Sequence, residues 1–391
     1  MSRLLLLVAI LWALPSPAWG QADPFEEINK RFQQRQQQAD EALSSVQEQY
    51  RAKREAMEGA WKKREQEIEE QWQKAKREIE KKWDKALQST RKEWVAYSPK
   101  YDARSIVNFE DGTIEVTALV PLPKGEKRVP PGEVLPAAQD EIARQFEQIL
   151  AERSGATKRV LADQVVNRAG KPVDPQTAKP FVQQEVLPNL VVDAKPVESR
   201  DGVTRAKVTA KVKLAPDHIQ KRAQQYLDVV KTSAQRFDVD PQLVLAVIQT
   251  ESYFNPRAQS HIPAYGLMQL VPRAAARDAY NYVYKDDKVL DDFYLFDPAN
   301  NVELGAAYLH ILKDQIFRDL AEGDKKNYVV ICAYNWGPGN IRGKILKRFP
   351  VEQLPEAQVF ALLTEKTPEE TRNYLKRVTE RMPQYEAMVR R

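Results

Sequence analysis

Aromatic residues stand eleven apart at Tyr50, Trp61, Trp72, Trp83 and Trp94, and a second register repeats that interval at Val46, Met57, Ile68 and Ile79. Eleven residues complete three turns at 3.67 residues per turn, close enough to the 3.6 of an α-helix to keep both registers on one stripe. The segment that carries them, Phe25 to Trp94, has one glycine, Gly59, no proline, and a composition of Glu, Lys, Arg, Gln and Ala. Ile68-Glu69-Glu70-Gln71-Trp72 and Ile79-Glu80-Lys81-Lys82-Trp83 are visibly copies. The stripe is too narrow for a globular core. It predicts one long helix of roughly 70 residues, about 105 Å at 1.5 Å each, forming a straight or weakly right-handed coiled coil by self-association or on a helical partner. The alternative is an isolated helix held by i,i+4 Glu–Lys pairs. Four evenly spaced tryptophans argue against it, because exposing them brings no physical benefit.

This polar segment sets the tone of the composition. Of 391 residues 29 % are charged and 42 % apolar, and the length predicts two to four domains. Sixty Lys+Arg against 55 Asp+Glu leave a net charge of +5. The signs are interleaved, so nucleic acid is not expected as a partner. A single cysteine, Cys332, excludes an internal disulfide framework and any thiolate metal cluster, and the three histidines, His218, His261 and His310, argue against a zinc site. No metal and no cofactor are expected. The chemistry must run on carboxylates, hydroxyls and amides.

The N-terminus reads as an address. Arg3 precedes an apolar run from Leu4 to Leu14, then Pro15, Pro17 and Ala18-Trp19-Gly20, with small residues flanking a cut before Gln21. That pattern predicts a secretory signal peptide over 1–20, since the run is short of the ~20 residues a membrane span needs. No cysteine lies near the cut, so a lipid anchor is not expected and the mature protein is expected to be exported. The long helix is expected over 21–96.

A small α+β domain is expected over 97–215. Ser105 to Asn108 and Thr113 to Thr117 read as strands joined at the Asp111-Gly112 turn. Helical periodicity runs from Ala137 to about Leu150, with Ile142, Phe146, Ile149 and Leu150 on one face. Ala206, Val208, Ala210, Val212 and Leu214 alternate as a further strand. The domain carries no catalytic constellation, and its expected role is positioning or binding.

From Asp217 the pattern is helical. Asp240 as N-cap and Pro241 at the first helical position start a helix whose Leu243, Val244, Ala246, Val247 and Ile248 make it apolar nearly all round, hence buried. Glu251 closes it. An acid there opposes the helix dipole, and such local inconsistencies mark functional or strained places.

Four sequence blocks give that acid a context. They are Glu251-Ser252-Tyr253-Phe254-Asn255-Pro256-Arg257-Ala258 with Ser260 and Gly266-Leu267-Met268-Gln269, then Phe296-Asp297-Pro298-Ala299-Asn300-Asn301, then Ala333-Tyr334-Asn335-Trp336-Gly337, and finally Glu370-Thr371-Arg372-Asn373-Tyr374. In this order they resemble the signature of the soluble-lytic-transglycosylase family, with its goose-type-lysozyme-like fold. Tyr101 to Val116 and Ala206 to Asn255 further resemble a membrane-bound branch of that family, whose acylated cysteine this chain lacks. The resemblance implies a mainly α architecture: a lysozyme-like helical catalytic domain over 216–391, preceded by the small α+β domain and the long N-terminal helix.

What the resemblance implies chemically is non-hydrolytic cleavage of the β-1,4 bond between N-acetylmuramic acid and N-acetylglucosamine in peptidoglycan. Glu251 would act as acid and then base, leaving a 1,6-anhydro end, with Tyr374 restraining it. Ser260, Gln269, Gly266 and Leu267 would line the sugar, Met268 would pack beside it, and Tyr334 and Asn335 would bind its acetamido group. Glu370 reads as a buried structural acid and Cys332 as core. Tyr253 and Trp336 depart from the family pattern, as a residue able to reshape a subsite and a candidate sugar platform respectively. Two rival functions stay open: a hydrolytic muramidase, for which Asp291, Asp292 or Asp297 could supply a second carboxylate, and a catalytically weak wall-binding scaffold acting through its coil.

Overall fold

The computed structural model describes residues 24–124, 126–155, 159–260 and 263–390, with side chains from residue 28 onward. The expected signal peptide over 1–20 and His261 lie outside the described residues.

The first helix runs Pro24–Ile79, so it stops short of Trp94. The chain forms two units, dividing after Ala60. In the first, the helix leaves Ile28, Phe32, Leu43, Val46 and Tyr50 between 57 % and 67 % exposed. In the second, the tryptophans turn inward to three different cores: Trp61 joins the large helical core, Trp83 a small cluster with Ile79, Ala86 and Leu119, and Trp94 the core beneath a sheet. This corrects the expectation of one continuous helical stripe. The helix ends where the chain can bury Ile79 and Trp83 against the sheet: the Trp83 indole N–H donates to the Tyr101 carbonyl at 2.7 Å, and the Arg104 guanidinium lies 4.3 Å over its ring. Burying a tryptophan on the chain's own body removes 150–250 Å² from water without the entropy cost of recruiting a partner, an effect of about 4–6 kcal/mol at most.

The sheet is antiparallel. Its strands are β1 (Glu93–Tyr97), β2 (Ala103–Asn108), β3 (Thr113–Pro121), β4 (Val191–Val192), β5 (Val197–Glu198) and β6 (Thr204–Lys213), in the order β1-β2-β3-β6-β4 with β5 also pairing with β6. The expected hairpin forms between β2 and β3, with Val107 opposite Ile114. Gly112 turns it at φ +64°, and a Cβ there would stand 2.6 Å from His218 Nε2. Ala206, Val208 and Ala210 on β6 are fully buried, as their alternation predicts. The helix Pro131–Ala151 lays Ala138, Ile142, Phe146 and Ile149 on this face. It starts earlier than Ala137 because Pro131 occupies the first turn, where no N–H is needed.

From His218 the chain is helical. His218–Arg236, Pro241–Ser252, Ala275–Tyr284, Pro298–His310, Asp324–Trp336, Glu356–Lys366 and Glu369–Arg381 are the main helices around one core. Pro241–Ser252 is buried from Leu243 to its end, as its all-round apolarity predicts, and Asp240 caps it by accepting from the Gln242 N–H at 2.7 Å. No helix among the described residues is long and apolar enough to cross a membrane.

Candidate active site

Glu251 sits in the last turn of Pro241–Ser252, and the backbone after it is strained. Tyr253 and Phe254 are consecutive left-handed residues, with φ of 52° and 60°. Each such non-glycine residue costs about 1–3 kcal/mol unless its surroundings hold it. Here they do. The Tyr253 carbonyl accepts from Arg222 Nε at 3.0 Å, and Phe254 is fully buried, stacked on Tyr226 and edge-on to Tyr385. Ser252 donates to the Ile248 and Leu267 carbonyls at 3.1 and 2.7 Å, tying the helix end to the Gly-Leu-Met-Gln turn.

The Glu251 carboxyl is only 7 % exposed. Burial penalises its charged form and pushes its pKa up to about 7, against the opposing pull of Arg91. Arg91 reaches it from the segment before β1, with its guanidinium 3.8 Å from Glu251 Oε2 and 3.9 Å from Glu370 Oε1. Tyr374, on Glu369–Arg381, is buried beside the carboxyl. Its hydroxyl interacts with Glu251 but meets no hydrogen bond of standard geometry among the described residues. Burial and the neighbouring Glu251 charge raise the pKa of Tyr374 and Tyr334 well above the usual phenolic value, so both hydroxyls keep their protons as donors.

One wall of the site is the turn Gly266-Leu267-Met268-Gln269. Gly266 has φ +76°, and a Cβ on it would lie 2.3 Å from the Leu295 carbonyl and 2.4 Å from Asn301 Nδ2. That close approach lets Asn301, fully buried, pin the turn: it donates to the Tyr265 and Leu295 carbonyls at 2.9 and 2.8 Å and accepts from the Met268 N–H at 2.8 Å. Gln269 Nε2 donates to the Ala258 and Gly266 carbonyls, while its buried Oε1 has no partner among the described residues. Ser260 is half-buried, its N–H donating to the Ala264 carbonyl at 3.2 Å. The Tyr334 hydroxyl donates to the Met268 carbonyl at 2.8 Å, and Asn335 Oδ1 accepts from Thr371 at 2.8 Å, so what Asn335 can offer a ligand is its Nδ2 donors.

Several expectations change in the folded chain. The Met268 side chain, expected beside a sugar, is fully buried against Gly305, where small size on the neighbouring helix makes room for it. Leu267 is buried too, and its carbonyl is taken by Ser252. Glu370, expected as a buried acid, is 67 % exposed. Tyr253 is buried, with its hydroxyl donating to Glu110 and its ring flanked by Arg381 and Lys92. Trp336 is half-buried with Lys344 4.8 Å over its ring. Asp291 and Asp297 cap helices, and Asp292 pairs with Arg64, so each is committed elsewhere. Cys332 is core.

Sequence reasoning missed Arg91, Arg222, Asn301 and Thr371. Arg91 and Arg222 carry no motif signal. Asn301 lay inside a recognised block without an assigned role. Among the described residues no group of three or more His, Cys, Asp or Glu side chains is placed to hold a metal ion.

Comparison with known proteins bears on this arrangement. Residues 228–352 match the family model "Transglycosylase SLT domain", and residues 61–129 match "Membrane-bound lytic murein transglycosylase C, N-terminal domain". The chain is 30 % identical over 298 residues to membrane-bound lytic murein transglycosylase C of Klebsiella pneumoniae, covering 74 % of this chain and 81 % of that one. With its counterpart in Salmonella arizonae it shares 30 % over 291 residues, 73 % of this chain and 79 % of that one. Among solved structures it is similar to the 70 kDa soluble lytic transglycosylase of Escherichia coli, at 25 % identity and a TM-score of 0.34, over 44 % of this chain and 26 % of that one.

Proposed function

The chain belongs to the membrane-bound lytic murein transglycosylase C family of peptidoglycan lytic transglycosylases, and on that footing we propose that Glu251 cleaves glycan strands by serving as acid and then as base. The observation that carries this reading is a single carboxyl, buried at a helix end, with its pKa raised to about 7. Such a group is protonated often enough near neutrality to give a proton and basic enough to take one back.

Protonated Glu251 donates to the oxygen between N-acetylmuramic acid and N-acetylglucosamine. The substrate's own acetamido oxygen stabilises the oxocarbenium-like centre, as in substrate-assisted glycosidases. Ionised Glu251 then takes the proton of the muramoyl C6 hydroxyl, which closes on C1 as a 1,6-anhydro ring. Water is not consumed, so no second carboxylate is needed. Tyr374 donates to the carboxylate as charge develops. The unpartnered Gln269 Oε1 and the Asn335 Nδ2 donors offer complementary groups to an acetamido function, with Ser260 at the rim. Gly266 and Leu267 shape the wall, and Met268 and Tyr334 brace it from behind.

Around this centre we assign residues 216–391 to catalysis and 97–215 to an accessory part. The leader pattern at 1–20 assigns the protein to the periplasm and its activity to cell-wall remodelling. The exposed stripe of Ile28, Phe32, Leu43, Val46 and Tyr50 is assigned to helical pairing, with a second copy or with a helical partner, since its residues recur at helical intervals.

The test is the mass of the products. Purified protein incubated with sacculi is expected to release muropeptides one water lighter than the hydrolysed species. A second reading, hydrolysis, is favoured by one observation only, the exposed Glu370 facing the same guanidinium as Glu251. Reducing ends in place of anhydro ends would establish it and sink the lytic mechanism.

A further inference from the structure

Arg91 has an unusual position for an arginine. Its guanidinium stands between two carboxylates, 3.8 Å from Glu251 and 3.9 Å from Glu370, and makes no hydrogen bond among the described residues. Both neighbours in sequence are anchored. The Thr90 carbonyl accepts from Asn255 Nδ2 at 3.4 Å, and the Lys92 and Glu93 N–H groups donate to Thr90 Oγ1 at 3.3 and 3.1 Å. Lys92 pairs with Glu110 and lies 5.7 Å over the Tyr253 ring. Tyr253 and Asn255 belong to the turn that follows Glu251, so one piece of backbone sets the height of both the acid and the cation.

Resting on the lytic reading above, we propose that Arg91 is a positioning residue lent to the reaction from outside the catalytic segment: it stabilises Glu251 in the ionised interval between proton donation and proton return. Glu370, on the far side of the guanidinium, holds it back from a close pair that would leave Glu251 permanently ionised. The balance involves every charged or titratable group facing Glu251. Burial and Glu370 favour the protonated form; Arg91, Arg377 and the Tyr374 contact favour the ionised one; Tyr334 faces it as a neutral phenol. A proton donor that must also recover its proton works best poised between these extremes.

The experiment follows the initial rate of muropeptide release from sacculi by the full chain over roughly pH 5 to 9, the range in which such a group titrates. Parent, Arg91→Lys, Arg91→Gln and Arg91→Glu are compared. The alkaline limb reports loss of protonated Glu251. It is expected to move up by about 0.5–1 pH unit in Arg91→Gln, further in Arg91→Glu, and to stay within about 0.2 unit of the parent in Arg91→Lys. A merely structural arginine would not order these variants by charge. Variants that melt like the parent and share its alkaline limb overturn the proposal. Should substitution at Arg91 impair folding, the exposed Glu370→Gln decides instead: its limb is expected to move down, and an unmoved limb overturns the proposal. Product masses are weighed in the same samples. Reducing ends would sink the lytic reading, whereas anhydro ends with coincident limbs would sink only the role of Arg91.

Discussion

Arg222 donates from Nε to the carbonyl of Tyr253 at 3.0 Å, and its other two nitrogens reach Gln164 Oε1 at 2.8 Å and the Phe109 carbonyl at 2.7 Å. One guanidinium, 1 % exposed, thus fastens the left-handed turn behind Glu251 to the hairpin and to the loop beneath the sheet. Among the described residues no carboxylate pairs with it, and burial pulls its pKa down to about 9. Arg222→Met keeps the bulk and removes the donors, leaving three buried acceptors unpaired at about 1–3 kcal/mol each. We expect a loss of at least ~3 kcal/mol in urea unfolding, with activity lost first as the turn relaxes. A Met variant that unfolds at the parent's midpoint would deny Arg222 this role.

Glu251→Gln should remove activity and add stability. The folded pKa of Glu251, about 7, lies above its ordinary value of 4.5. The folded chain therefore binds more protons than the unfolded one between those values, and the contribution to stability is full below 4.5 and is lost as pH rises through 7. The shift corresponds to ~3 kcal/mol at most. The Gln variant, which cannot titrate, is expected to match the parent in melts near pH 4 and to exceed it near pH 8, the two sides of that interval. Turnover should fall by at least ~10²–10⁴-fold. Retention of more than about a tenth of the turnover would remove Glu251 as the proton carrier.

For Tyr374→Phe we expect a smaller loss. On the proposed mechanism the hydroxyl supplies one oriented hydrogen bond to the developing charge, worth about 0.5–3 kcal/mol, or roughly two- to 150-fold in rate. Because the Tyr374 contact lowers the Glu251 pKa, its removal should also move the alkaline limb upward. An unchanged rate and an unchanged limb would make Tyr374 a packing residue only.

The tryptophans divide by position. Trp61 and Trp83 are each 4 % exposed, while Tyr50, in the same register, is 58 % exposed. Trp61→Ala and Trp83→Ala are expected to cost ~3–5 kcal/mol each in chemical unfolding, as large-to-small core changes do. Tyr50→Ala should stay within about 0.5 kcal/mol in the monomer. Equal tolerance at all three sites would mean that the tryptophans lie on a solvated helix.

How far the sequence reached depended on the range of the interactions involved. Asp240 capping Gln242, the Asp111-Gly112 turn, the buried face of Ile142, Phe146 and Ile149, and the apolar helix that carries Glu251 in its last turn are all present where the sequence pattern puts them. Each rests on neighbours a few residues apart, where periodicity and capping chemistry act. The family blocks around Glu251, Gln269 and Tyr334 were legible for another reason, since motif residues announce themselves by identity and order.

The eleven-residue ruler shows where local reading stops. The helical interval was real, but whether a tryptophan on it meets a second helix or the chain's own core depends on surfaces distant in sequence, such as Leu119 for Trp83. Likewise the block around Met268 by itself points its side chain at a sugar, whereas Gly305, on another helix, receives it. The sequence by itself determined the acid, the helix that buries it and the turn facing it. Tertiary structure alone decided that Arg91 stands over that acid and that Arg222 clamps its turn, because a long flexible side chain carries no periodic or motif signal and finds its partner only when distant backbone segments are packed together.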